Sequence, residues 1–248
     1  MAQPEKISNK LGENLIERLQ NNDYIGFDEE FSYRSQMNNV GKIDPEDVQA
    51  WAFYYALKQN ESEALKYFKR SIRFGVVGFI ENYLAYLLRI SKIKDFIKVA
   101  LGLRAKYRGE KSIMIPISLA SALNGDIEGF RENLNSIILF KGDDHKSYQS
   151  HLAHFDSFIE NANQTQESFK SIMEAYVSIG EKNKLIYSGI SFESYPEFNI
   201  NEVAVSVYLP ETEVEKLVDL NVELAFELGK LSALDSKVFS ASFDFYEA

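Results

Sequence analysis

All three histidines of the chain lie in one short window, DDHKSYQSHLAHFD: His145, His151 and His154, with Asp143, Asp144 and Asp156 beside them. His151 and His154 stand at i, i+3, which puts them on one helix face. With a carboxylate, two imidazoles could hold a divalent transition metal and activate a bound water. The spacing matches no metalloenzyme motif, so surface histidines in a long polar turn are the plainer reading. The expectation is therefore no cofactor, no metal and no catalytic residue. A metal-dependent hydrolase built on His145, His151 and His154 stays as a second alternative.

A second pattern is acidic. Glu215, Asp219, Glu223 and Glu227 recur every four residues in a segment of helical periodicity. Like charges at that spacing repel by a few tenths of a kcal/mol per pair. The stripe is either a solvated outer face or a surface that steers and docks a basic protein.

The whole chain bounds these readings. It has 248 residues, 45% of them hydrophobic, enough for a sizeable core. Its formal charge is −10, from 27 Lys plus Arg against 37 Asp plus Glu, which disfavours nucleic acid and anionic membrane as partners. There is no cysteine, hence no disulfide, thiolate metal site or cysteine nucleophile. No glycine-rich phosphate loop occurs. The start, MAQPEKISNKLGENL, lacks a signal-peptide apolar run, and no window is long and apolar enough to span a bilayer. The expected location is cytoplasmic.

The elements that carry these residues follow from a repeat. Trp51-Ala52, Leu84-Ala85 and Ile117-Ser118 each pair a large apolar with a small residue, and 84 − 51 and 117 − 84 both give 33. Ala64, Ile97 and Phe130 keep that interval, each followed four residues later by Phe68, Leu101 or Leu134. Phe27 with Phe31, in NNDYIGFDEEF, occupies the same two places one unit earlier. A fixed period in this range signals stacked two-helix units, in which the small residue admits its neighbour and the i, i+4 pair covers the contact. A last hairpin is expected from HLAHFDSFIENA and SFKSIMEAYVSIG, with 140 to 150 as a long turn. Pro116 inside a first helix must start that helix late or kink it.

The unit from Asp44 to Phe74 resembles a tetratricopeptide repeat, with Val48, Trp51, Ala52, Tyr55, Ala64, Phe68 and Ser71 in that family's consensus places. The others diverge: Leu88 and Ser121 stand where Tyr55 stands. The resemblance implies ligand contact from the first helix of each unit. Carried over, it sets Glu46, Gln49 and Phe53 beside Asn82, Tyr86 and Arg89, an aromatic-plus-amide groove suited to an extended peptide or a partner helix.

Beyond Gly180 the apolar period changes to two. Val203, Val205, Val207 and Leu209 form one strand, Phe239, Ala241, Phe243 and Phe245 another, and Leu185 to Glu193 a weaker one. Pro210 to Leu231 reads as an amphipathic helix whose inner face is Val214, Leu217, Val218, Leu224, Ala225, Leu228 and Leu231. The expected architecture is a mainly α, helical-hairpin repeat over 10–182, followed by a small α+β domain over 183–248 ordered strand, strand, helix, strand.

Function is expected to be non-enzymatic protein binding. The acidic excess and the absence of chemistry point to a binder that neutralises a basic protein, of the immunity-protein or antitoxin kind. The alternative is a peptide-binding adaptor or chaperone that uses the groove.

Overall fold

The computed structural model describes residues 7–140, 142, 145–194, 203–210, 212–235 and 237–245. They form a mainly helical protein with one small mixed sheet near the C-terminus. The chain divides into two compact units, Met1–Tyr83 and Leu84–Ala248. Among the described residues no helix is long and apolar enough to cross a membrane.

The first unit holds α1 (Ile7–Gln20), α2 (Phe27–Met37), α3 (Pro45–Leu57), α4 (Glu61–Ser71) and the start of α5 (Val77–Arg89). Pro45 opens α3 in its first turn, where its missing N–H has no helical partner to lose, and Glu46 and Asp47 lie at the positive end of the dipole. From Val48 to Leu57 every α3 side chain except Tyr55 is buried, as befits a helix apolar on all sides. α1 lays Leu11, Leu15 and Leu19 into this core, and α4 seals it with Ala64 and Phe68. Trp51 stacks with Tyr55 and Tyr67 at ring separations of 5.6 and 5.9 Å, and its indole N–H donates to the Gly41 carbonyl at 2.9 Å.

Phe27 and Phe31 depart from expectation. They are 97% and 84% exposed, where the repeat register requires a buried pair. The cause lies on the opposite side of α2. Arg18 binds Glu29 and the Tyr33 hydroxyl, and Lys58 binds Glu30. These contacts and buried Met37 fix one face of α2 inward and turn Phe27 and Phe31 out.

The second unit continues through α6 (Ile93–Leu103), α7 (Lys111–Leu123), α8 (Ile127–Ile138), α9 (His145–Asn161) and α10 (Gln166–Asn183). Alternate helices α3, α5 and α7 start at 45, 77 and 111, and α4, α6 and α8 at 61, 93 and 127, so successive starts differ by 32 and 34. α7 begins in register at Lys111 and runs through Pro116, so the proline does not delay its start. α9 begins at His145, so residues 145 to 150 are helix and not turn. Ala85 is exposed, whereas Ala52 and Ser118 are buried as close-packing positions should be.

β1 (Gly189–Ser194) pairs antiparallel with β2 (Val203–Leu209), which pairs parallel with β3 (Ser240–Phe245) across the crossover helix α11 (Val214–Leu228). A parallel neighbour needs such a crossover. The sheet shares its core with the preceding helices. Phe192 meets Phe155 at 4.8 Å, Phe155 meets Phe130 at 4.6 Å, and the Tyr176 hydroxyl reaches the carbonyls of Val205 and Ser242 at 2.9 and 3.0 Å.

α11 lies on the sheet by a face rotated from the one expected, with Leu217, Leu228 and Leu231 of the expected face partly covered. Leu220 and Leu224 are buried, whereas Val214 and Val218 are exposed together with Val222 and Phe226, and Ala225 is exposed as well. Asn221 turns the helix this way by binding the backbone of Phe243.

Candidate binding groove

Three helices of the first unit leave a concavity of about 280 Å3 between them. α3 supplies Gln49 and Phe53, one helical turn apart, and α5 supplies Phe79 and Asn82 at i, i+3. α1 closes the third side with Gly12, Glu13 and Ile16. Gly12 costs α1 about 1 kcal/mol relative to alanine, yet a methyl group there would meet nothing within 4 Å. Its absent side chain is part of the open space.

Gln49 decides the character of this groove. The residue is 5% exposed, and neither its Nε2 nor its Oε1 has a hydrogen-bond partner among the described residues. A buried amide left so costs about 1–3 kcal/mol, so native cores keep very few. The rest of the wall is apolar, from Ile16, Ala50, Phe53 and Phe79. Glu13 and Glu46 stand exposed at the rim, and neither makes an ion pair among the described residues.

The same group is used elsewhere in the fold with its partners in place. Asn221 Nδ2 donates to the Phe243 carbonyl at 3.0 Å and its Oδ1 accepts from the Phe243 N–H at 2.7 Å. Gln166 accepts from the Ile127 N–H and donates to the Gly125 carbonyl. In both, a carboxamide grips backbone through one donor and one acceptor. Gln49 offers that chemistry beside two phenylalanines and beneath two carboxylates.

Of the residues expected to bind, Gln49, Phe53 and Asn82 thus share one groove, with Glu46 at its rim. Tyr86 and Arg89 follow on α5 but are not among the residues lining it, and Tyr86 is buried. Gly12, Glu13, Ile16 and Phe79 escaped sequence reasoning. A glycine inside an otherwise good helix was the available signal for the first.

The acidic row on α11 is divided. Glu223 accepts from Lys182 at 2.6 Å and from Asn183, which holds its carboxyl below the usual range, and Glu227 pairs with Lys230 at 2.8 Å. Glu215 and Asp219 are exposed, with no ion pair among the described residues.

The histidines do not converge. His151 packs against Phe130 and Phe192 at 5.7 and 5.9 Å, and burial, then the neighbouring His154, lower its pKa. His154 Nδ1 lies 3.3 Å from Ser194 Oγ, His145 Nδ1 lies 3.1 Å from the Gly142 carbonyl, and Asp156 pairs with Arg131. Asp143 and Asp144 lie outside the described residues. Among the described residues no cluster of three histidine, aspartate or glutamate side chains is placed to hold a metal ion.

Comparison with known protein families, with characterised proteins and with solved structures finds no match for this chain.

Proposed function

We propose that this is a non-catalytic protein-binding scaffold, a helical-repeat array of tetratricopeptide-like hairpins, which grips an extended segment of another protein in the groove around Gln49. The observation that carries the reading is the buried Gln49 carboxamide, whose donor and acceptor both lack partners among the described residues. Once the Gln49 side chain turns toward the groove opening, an extended backbone supplies one C=O and one N–H for it, an apolar side chain covers Phe53 and Phe79, and a Lys or Arg meets Glu13 and Glu46. The near-constant interval between helix starts supports the repeat part of the proposal.

A second contact is supported by α11, where exposed Val214, Val218, Val222 and Phe226 run beside Glu215 and Asp219. This favours a basic partner with apolar anchors, the chemistry required of a protein that neutralises a basic toxin.

The test is a pull-down from native cells at low and high salt with three variants. Gly12→Leu fills the groove without removing a contact, Gln49→Leu deletes the amide, and Asp219→Lys reverses the charge at one exposed position of α11. A partner lost with Gly12→Leu and Gln49→Leu supports the groove; a salt-labile one lost only with Asp219→Lys moves the function to α11. A wild-type pull-down that retains no protein refutes both.

A further inference from the structure

A larger concavity, about 610 Å3, lies within the second unit and has the opposite polarity. Its floor exposes a repeat position that is sealed elsewhere. Phe68 and Leu134 are 0% and 2% exposed, whereas Leu101, thirty-three residues from each, is only partly covered and lines the cavity with Ile97. The unit carries the apolar pair that a hairpin needs and leaves it under an open space.

The walls are two helix faces. α6 contributes Lys94, Ile97, Lys98 and Leu101, at i, i+3, i+4 and i+7; α10 contributes Lys170, Glu174 and Val177, at i, i+4 and i+7. Each series is one face over two turns, so the two faces flank a trough that can take a third helix. The end of the trough is fixed. Gly125 turns the chain there with φ +67, and a Cβ on it would stand 2.3 Å from the Lys170 Cα. The Gln166 carboxamide clamps that same turn to α10.

Charge selects the occupant. The chain has a formal charge of −10, yet three lysines and one glutamate line this trough. Lys94 reaches Glu181 at 3.2 Å and Lys170 reaches Glu174 at 3.7 Å, while Lys98 has no ion pair among the described residues. An apolar floor between lysines complements a helix with apolar residues at i, i+3, i+4 and i+7 and carboxylates on its flanks. We infer that the second unit binds an acidic amphipathic helix of a partner protein in the trough between α6 and α10. This site is independent of the Gln49 groove and differs from it in the sign of charge it accepts.

The probe is a fluorescent synthetic peptide of about eighteen residues, long enough for five turns, with leucine on one face and glutamate elsewhere. Its titration against the full chain is followed by anisotropy, with a leucine-lysine peptide as control. The expected result is saturable binding of the glutamate peptide, weakened at least roughly tenfold by Lys98→Glu with Lys170→Glu, and a switch of that variant to the lysine peptide. Both lysines are exposed, so the variant's circular dichroism should match the wild type, and its melting temperature should fall only slightly because Lys170→Glu sets like charges at i, i+4 with Glu174. Failure of the glutamate peptide to bind, or equal binding to the double variant, overturns the proposal. Binding of phosphatidylglycerol vesicles without the peptide overturns it as well. Gly12→Leu leaves this titration unchanged and separates it from the Gln49 groove.

Discussion

The carboxamide of Asn221 holds the backbone of Phe243 at both its N–H and its C=O, at 2.7 and 3.0 Å, closing the edge of β3 at that residue. An open strand edge invites pairing with other chains. Asn221→Leu is expected to lower stability by about 1–3 kcal/mol by stranding both backbone groups. Asn221→Asp sets a charged oxygen against the Phe243 carbonyl at neutral pH, and its protonated form restores the donor. Its folded pKa is therefore raised, and the variant regains stability as pH falls toward 4. Urea unfolding of both variants at two pH values checks this.

Gln49→Leu should separate stability from binding. Removing an unpartnered buried amide is expected to raise stability by roughly 1 kcal/mol, since the group's desolvation is uncompensated, while partner affinity falls. A thermal melt and a binding titration on the same sample read the two effects. A drop in stability would mean that the amide is satisfied inside the fold.

His151 predicts an acid-side loss of stability. Its folded pKa is depressed by burial against Phe130 and Phe192, so the unfolded chain takes up a proton first as pH falls below about 6.5. Stability linked to this group is intact above that value and declines by up to about 1.4 kcal/mol per pH unit below it, until the folded-state pKa is reached. His151→Leu should flatten the wild-type profile between pH 7 and 5 in denaturant titrations.

Arg18 joins α1 to α2 through Glu29 and Tyr33 and to the intervening turn through Asp23, and the bond to Glu29 above all raises its pKa. Arg18→Ala is expected to release α2 while α3 and α4 stay folded. Amide exchange should accelerate across Phe27–Met37 and remain slow at Val48–Leu57 in the same unit.

Much of the helical organisation was legible in the sequence because period and spacing report packing directly. Ala64 with Phe68 and Phe130 with Leu134 are buried, whereas Leu101 at the same interval is only partly covered, and the change of period past Gly180 marks the sheet. Phe27 and Phe31 misled because Phe27 opens α2, whereas Ala64 and Phe130 stand fourth in α4 and α8, and the face of α2 is chosen by Arg18 and Lys58, which no periodicity encodes. α11 misled for a related reason: it is apolar on two sides, and the bond from Asn221 to Phe243 selects which side packs. The groove was half legible. Gln49, Phe53 and Asn82 came from repeat position, whereas Glu13 and Phe79 enter through helix packing, and nothing in the lysine spacing marks the trough over Leu101.

The single tryptophan has a consequence for observing this protein. Trp51 sits in the first unit, between two tyrosine rings and with its indole N–H held by Gly41. Its emission is a local optical signal, blind to the second unit, whose fluorescence comes from tyrosine and phenylalanine alone. Unfolding followed by tryptophan emission and by far-ultraviolet circular dichroism therefore sees different parts of one chain. Coincident curves report a single cooperative transition, and separated curves give each unit its own.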